Sequence, residues 1–471
     1  MQHPQPSPSM RQIFVLVFSI IATLYLLTEV LSQSIQIALL ASWFLIMALG
    51  KVNGVSYPRM QHGLIQGISK GMDAILVLMA VGALIGSWMA GGVVPNIIYL
   101  GLSIMSPDIF LFAAFIICSV TSVATGTSFG TVGTAGIAMM GIGAGFGLPL
   151  PLVAGAAICG AYVGDKLSPL SDTTVMTASL CRVSLVSHIK SMLYVSGPAF
   201  LITAILFLFT GFAFDLGGST SRAEEVMATI SEIYPIAWYM LIPALVVVAL
   251  LIMQMPAVPV ILLGALLGVV WAYGFSDKTL TEALTTLYRG NVISTSDSFI
   301  GILLNRGGIT SMLEVILLVI LALGLGGLME VTGVLATIAN RLQHWASTPG
   351  RLGVSTILAG VLGNMLGGAA YVALITASTI TGKNYQAMGI DRRVLSRNAE
   401  AGGTITTPMI PWTDGGVFMA TTLGVATGTY LPFLWYHILV LVISVIYAYT
   451  NWFSFRDENP GAEQKAVHPQ A

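Results

Sequence analysis

The chain has 471 residues, of which 56% are hydrophobic and 8% charged, with a mean hydropathy of +0.88. That is too little charge to coat a soluble protein of this length. A net charge of −1 offers no basis for nucleic-acid binding, and three cysteines set in apolar sequence are no disulfide framework.

In chain order, apolar runs recur at 13–31, 74–85, 195–214, 236–253, 258–273, 315–328 with its flanks and 438–449 with its flanks. A bilayer span needs about 20 mostly apolar residues. These runs predict an all-α polytopic membrane protein. Arg11 precedes the first run, and no small-residue cleavage site follows before the next, so a membrane helix is expected there rather than a signal peptide. The six histidines show no ligand spacing, and no Ser/His constellation stands out. The expectation is a protein that is not an enzyme and carries no cofactor.

The chain also contains a weak copy of itself. "GISKGMDAIL" from Gly67 matches "GITSMLEVIL" from Gly308 at 4 of 10 positions, an offset of 241. "GSWMAGGVV" from Gly86 aligns with "GLMEVTGVL" from Gly327 at the same offset, and "GTSF" from Gly126 aligns with "GAAY" from Gly368 at 242. "SPLSD" from Ser168 aligns with "TPMIPWTD" from Thr407, with Ile410, Pro411 and Trp412 inserted, so that Asp172 falls on Asp414. Apolar helices match by chance, but four matches in one order at nearly one offset mark two halves. The halves are 1–214 and 235–471, with a polar linker at 215–234 and a short polar C-terminal tail. Repeats of this kind occur in transporters, whose sites lie where the halves meet, on helices broken by Gly and Pro.

Most Lys and Arg fall on one side if both termini are cytoplasmic. Repeat-related loops then face opposite sides, so the two repeats are expected to be inverted. Each half should hold a re-entrant hairpin, about 109–140 and 353–381, and a broken helix, about 152–181 and 398–422. The Gly, Ser and Thr of Thr121–Thr134 suit a hairpin tip, since non-helical backbone at membrane depth survives only when buried or lining a cavity.

The first break, "GDKLSPLSDTT" from Gly164, carries Asp165, Lys166 and Asp172. A charge at the bilayer centre costs at least about 2.5–3.5 kcal/mol, so these groups must be paired, hydrated or used. Pro169 breaks the hydrogen-bond ladder. The freed carbonyls with Ser168, Ser171, Thr173 and Thr174 are hard oxygen ligands suited to Na+. Asp172 and, by symmetry, Asp414 are the expected Na+ ligands, with Thr407 and Thr413 beside Asp414. A carboxylate can hold either a metal ion or a proton. Competition between the two, with alternating access, suffices for Na+/H+ exchange. Lys166 either neutralises Asp165 as a structural pair or serves transport directly. Asp172 also suits an N-cap, which does not exclude ion binding. Glu330, deep in an apolar segment, and Glu400, at the start of the second break, are supporting candidates.

At these residues the chain resembles the NhaC family of Na+/H+ antiporters. The stretch "SVATGTSFGTVGTAGIAMMGIGAGFGLPLPLVAGAAICGAYVGDKLSPLSDTT" carries the resemblance most specifically. "GGTITTPMIPWTDGGVFMATTLGV" and "NRGGITSMLEVILLVILALGLGGLMEVTGVL" extend it to about 50–455. The resemblance implies a secondary antiporter of the bacterial inner membrane that exchanges Na+ for H+. Some relatives exchange organic acids with Na+ coupling, malate for lactate among them, which makes a small organic anion or an amino acid the alternative cargo. Carried over by position, it adds Thr125, Thr127 and Ser128 at the first hairpin and Pro408 at the second break. The chain departs from the family pattern at Val175, at Ala369 and Ala370 before Tyr371, and at Asp414-Gly415. Expected partners are membrane lipids and the transported solutes, Na+ and H+ or a small organic solute; a homodimer is the candidate assembly.

Overall fold

The computed structural model describes residues 8–213, 219–293 and 304–455, and all regular elements among them are helical. The C-terminal tail beyond 455, residue 214 and residues 215–218 of the expected linker lie outside the described residues.

The first half begins with α1 (Met10–Tyr25), opened by a capping box between Ser9 and Gln12, and α2 (Ile35–Val52). Next come α3 (Tyr57–Ser69), α4 (Met72–Ala90) and α5 (Val93–Ile104). α6 (Pro107–Thr125) ends at a tip. The short α7 (Ser128–Thr131) returns through a π turn to α8 (Ile137–Gly145). α9 (Leu150–Leu167) and α10 (Asp172–Cys181) flank the first break, and α11 (Leu185–Ala213) closes the half. The linker stretch itself carries α12 (Ser219–Ile233).

In the second half, α13 (Ile242–Ile252), α14 (Ala257–Phe275) and α15 (Leu280–Arg289) lead to α16 (Leu313–Val331) and α17 (Val334–Trp345). α18 (Pro349–Gly367) and α19 (Ala370–Ala387) form a helical hairpin. α20 (Arg392–Gly402), a 3-10 turn at Thr404–Met409 and α21 (Asp414–Leu423) make the second break. α22 (Thr427–Tyr430) and α23 (Trp435–Thr450) end the described chain. Among the described residues, 7 helices are long and apolar enough to cross a membrane, or up to 10 if each bent pair is one span. The protein is therefore multi-pass.

The matched sequence segments have matched local geometry. α5 and α17 are each 12 residues and follow left-handed Gly92 and Gly333. α6 and α18 are each 19 residues and stop at left-handed Gly126 (φ 72°) and Gly368 (φ 70°). A side chain in that conformation costs roughly 1–2 kcal/mol, which is why both tips are glycine. α10 and α21 are each 10 residues, capped by Ser171 and Thr413, and end at left-handed Arg182 and Gly424. Even a tertiary bond recurs at the 242 offset: Ser122 Oγ donates to Ala161 O, and Asn364 Nδ2 donates to Gly403 O.

The two halves also touch through repeat mates. α3 packs on α16 at glycine-to-backbone distance, and α4 packs as closely on Gly308, just before α16, and on Thr286 of α15. A Cβ on Gly67 would stand 2.4 Å from Leu323 O and 2.8 Å from Gly327 Cα. One on Gly86 would stand 2.2 Å from Thr286 O and 2.8 Å from Gly308 N. Gly308 and Gly86 are the mates of Gly67 and Gly327 at the 241 offset. Each contact thus joins the sequence counterparts of the residues in the other. Small residues permit such close approach, and dispersion there takes the place of a hydrophobic drive that lipid cannot supply.

Candidate ion and substrate site

Both hairpin tips and both helix breaks meet at one place. Ser128 N, just past the first tip, donates to Asp165 Oδ1 at 3.3 Å. Ser168 Oγ donates to Val123 O at 2.8 Å, tying the first break to α6. Asp414 N donates to Gly368 O at 2.8 Å, tying the second break to the second tip. The connections then cross between halves. Tyr371 on α19 donates to Asp172 Oδ2. Phe129 beside the first tip stacks on Phe418 of α21, with ring centroids 4.3 Å apart.

Local chemistry explains each position. Pro169 gives the first break no donor, and the chain reverses through a turn that frees the Asp165 carbonyl. That carbonyl accepts from Ser171 Oγ at 3.1 Å, Thr173 Oγ1 at 3.3 Å and Thr174 Oγ1 at 2.6 Å. Ser171 is the cap of α10, accepting from Thr174 N at 3.4 Å. Asp172 is thus the first residue of α10 and not its cap. Its Oδ1 accepts from Thr173 N at 2.9 Å. The second break repeats the pattern: Thr413 caps α21 by accepting from Gly416 N at 3.1 Å, and Asp414 Oδ1 accepts from Gly415 N at 2.6 Å. Each aspartate sits where the helix dipole favours negative charge. Asp165 and Asp414 are buried, whereas Asp172 is exposed toward Tyr371.

The remaining sequence candidates divide. Thr407 lies at the second break, giving its hydroxyl to Thr404 O at 2.6 Å, while its carbonyl accepts from Thr413 Oγ1 at 2.5 Å. Buried Pro408 offers its carbonyl to Tyr430 at 2.7 Å. Thr125 lies at the tip, 3.4 Å from Thr131 Oγ1. Thr127 caps α7, accepting from Gly130 N at 3.2 Å. Lys166 and Glu400 are fully buried behind the cluster. Glu330 lies apart from it, near the end of α16, exposed and paired with Lys70 at 2.6 Å. A cavity of 330 Å³ opens there, lined by Lys70, Glu330, Asn340, Gln343, Thr376 and Thr379 among others. It reaches Val372, the neighbour of Tyr371.

Tyr162 was not legible as a site residue. It is buried on α9, with its hydroxyl on the side of Ser128 at the first tip. A Cβ on Gly415 would lie 2.7 Å from the same hydroxyl. Tyr162 therefore joins the first tip to the start of α21. Its spacing, three residues before Asp165 on one helix face, was the available signal.

Apolar helices, paired breaks and buried carboxylates at one level define a multi-pass helical carrier, not an enzyme. The profile of the Na+/H+ antiporter family matches residues 6–212 and 160–452, and the chain belongs to that family. It is 47% identical over 455 residues to the malate-2H(+)/Na(+)-lactate antiporter of Bacillus subtilis, covering 96% of this chain and 97% of that one. It is 34% identical over 424 residues to the Na(+)/H(+) antiporter NhaC of Alkalihalophilus pseudofirmus, covering 89% and 91%. It is also 34% identical over 421 residues to the arginine/ornithine antiporter ArcD of Halobacterium salinarum, covering 88% and 86%.

Proposed function

We propose that the chain is a Na+/H+ antiporter working by alternating access between two inverted halves, 1–214 and 235–471. The observation that carries this reading is the pair of equivalent breaks. Each starts a ten-residue helix with an aspartate behind a hydroxyl cap. Asp172 and Asp414 take Na+, with Asp165 close by. Ser171, Thr173, Thr174, Thr407 and Thr413 supply oxygens that keep free lone pairs after donating to the backbone. The exchanged glycine contacts of α3, α4 and α16 support the inversion. Both termini are cytoplasmic in this reading.

A second reading is Na+-coupled exchange of a small organic anion. The relative named for malate and lactate, at 47% identity across nearly the whole chain, favours it. One assay separates the two. Everted vesicles with a preset pH gradient are given Na+, Li+, K+ and labelled organic acids in turn. Na+ or Li+ alone dissipating the gradient supports the first reading. Dissipation only with an organic acid on the opposite side replaces it with the second.

A further inference from the structure

Behind the ion cluster lies a second buried polar group that the exchange mechanism does not use. Glu400 on α20 is fully buried, and its Oε2 has no hydrogen-bond partner among the described residues. Its Oε1 accepts from Thr177 Oγ1 at 2.9 Å and lies 3.9 Å from His188 Nε2. That nitrogen and the fully buried Lys166 Nζ are also without hydrogen-bond partners among the described residues. His188 Nδ1 is 2.8 Å from Ser396 Oγ.

Ser396 Oγ lies within hydrogen-bond distance of both Arg393 O, at 2.9 Å, and His188 Nδ1. With the Ser396 proton on Arg393 O, His188 Nδ1 donates to Ser396 Oγ, and neutral His188 turns toward Glu400 a bare Nε2 that can accept a carboxylic proton. Other groups with charge or titratable protons around this pocket are Asp165 and Lys166 of α9, Arg397 on the helix of Glu400, Cys181 and Asp172 of α10, and Tyr436 of α23. A buried carboxylate with one oxygen unsatisfied is costly, and a structural role alone would be met more cheaply by an apolar side chain.

We infer that Glu400 and His188 hold the counter-transported proton, at a site separate from the aspartates that take Na+. The inference rests on the antiport reading above and adds where the proton resides. The proton is carried on the Glu400 carboxyl; when the 3.9 Å gap to His188 Nε2 closes to hydrogen-bond distance it passes to the imidazole, giving carboxylate and imidazolium, and returns by the reverse step.

The test uses the full chain in proteoliposomes, with two Na+ fluxes. Na+ counterflow at equal pH needs only the ion site, whereas uptake driven by a pH gradient needs the proton site as well. Glu400→Gln should lower gradient-driven uptake about a hundred-fold and leave counterflow within about two-fold of the parent. His188→Gln should split the two fluxes the same way, which covers a failure of the first variant to fold. Infrared difference spectra between acid and alkaline pH should lose a protonated-carboxyl band in Glu400→Gln. Gradient-driven uptake that persists in both variants overturns the inference. So does loss of both fluxes in a variant that stays monodisperse with unchanged thermal unfolding, since Glu400 would then belong to the ion site. If the parent chain shows no Na+ counterflow at all, the antiport reading itself fails and takes this inference with it.

Discussion

Tyr371 of the second half gives its hydroxyl proton to the carboxylate of Asp172 in the first. The repeat mate of Tyr371 is Phe129, which has no hydroxyl and stacks on Phe418 instead. The two halves are thus alike in backbone and unlike in chemistry at this point. Asp172 has a phenol to orient it, and Asp414 has the buried tip carbonyl of Gly368 at its backbone. A hydrogen bond to a charged group is worth about 1.5–3 kcal/mol. Tyr371→Phe should therefore raise the Na+ concentration for half-maximal exchange by roughly ten- to hundred-fold. Exchange rates in everted vesicles over a range of Na+ check it, and an unchanged midpoint would remove Tyr371 from the site.

The two aspartates themselves give a sharper contrast. Asp172→Asn removes the charge that faces open space and should abolish exchange. The helix stays capped, because Ser171 and not Asp172 is the cap. Membrane insertion should be intact, since the change deletes a charge that costs about 2.5–3.5 kcal/mol to insert. Asp414→Asn should cut exchange as well if both breaks share one cargo. Wild-type transport in Asp172→Asn, with normal amounts of protein in the membrane, would take the centre out of the mechanism.

How much of this could be read from the sequence depends on how local the signal is. "SPLSD" announced a break because a proline and charges interrupt an apolar run. The repeat was legible because glycine positions kept one offset, and Gly126 and Gly368 adopt the same left-handed geometry. Partners distant in sequence were not legible. Glu330 read as a buried functional acid, but Lys70 reaches it from 260 residues away and the pair is exposed. The histidines show no ligand spacing, so His188 carried no signal, yet it is buried against Ser396 and Glu400. A single tyrosine in an apolar helix reads as packing, so Tyr162 carried no signal beyond its spacing from Asp165.

The glycine contacts of α3, α4 and α16 predict a stability effect with no local motif. A Cβ on Gly327 would lie 2.1 Å from Gly63 O, which is backbone and cannot rotate away. Overpacking of this kind costs typically about 1–3 kcal/mol. Gly327→Val should lower the melting temperature in detergent, and Gly86→Val, its repeat mate, should do so similarly because Thr286 O is 2.2 Å from the added atom. Gly197, with nothing within 4 Å of an added Cβ, is the control. A melting temperature unchanged in Gly327→Val would mean that α3 and α16 are not held at this distance.

Tyr162 separates a packing role from a transport role. Its ring packs edge-on to His437, with centroids 4.9 Å apart, and that contact survives in Tyr162→Phe. Only the hydroxyl between Ser128 and Gly415 is lost. If the ring alone matters, exchange should match the parent. If the hydroxyl holds the first tip against α21, its polar contact there disappears, and exchange should slow by roughly two- to ten-fold. The slowing is the expected result, with the melting temperature moving little because the apolar volume is kept. Tyr162→Leu, which removes ring and hydroxyl together, should lower both. Equal rates in Tyr162→Phe and the parent would reduce Tyr162 to a core residue and leave Tyr371 as the aromatic hydroxyl at the site.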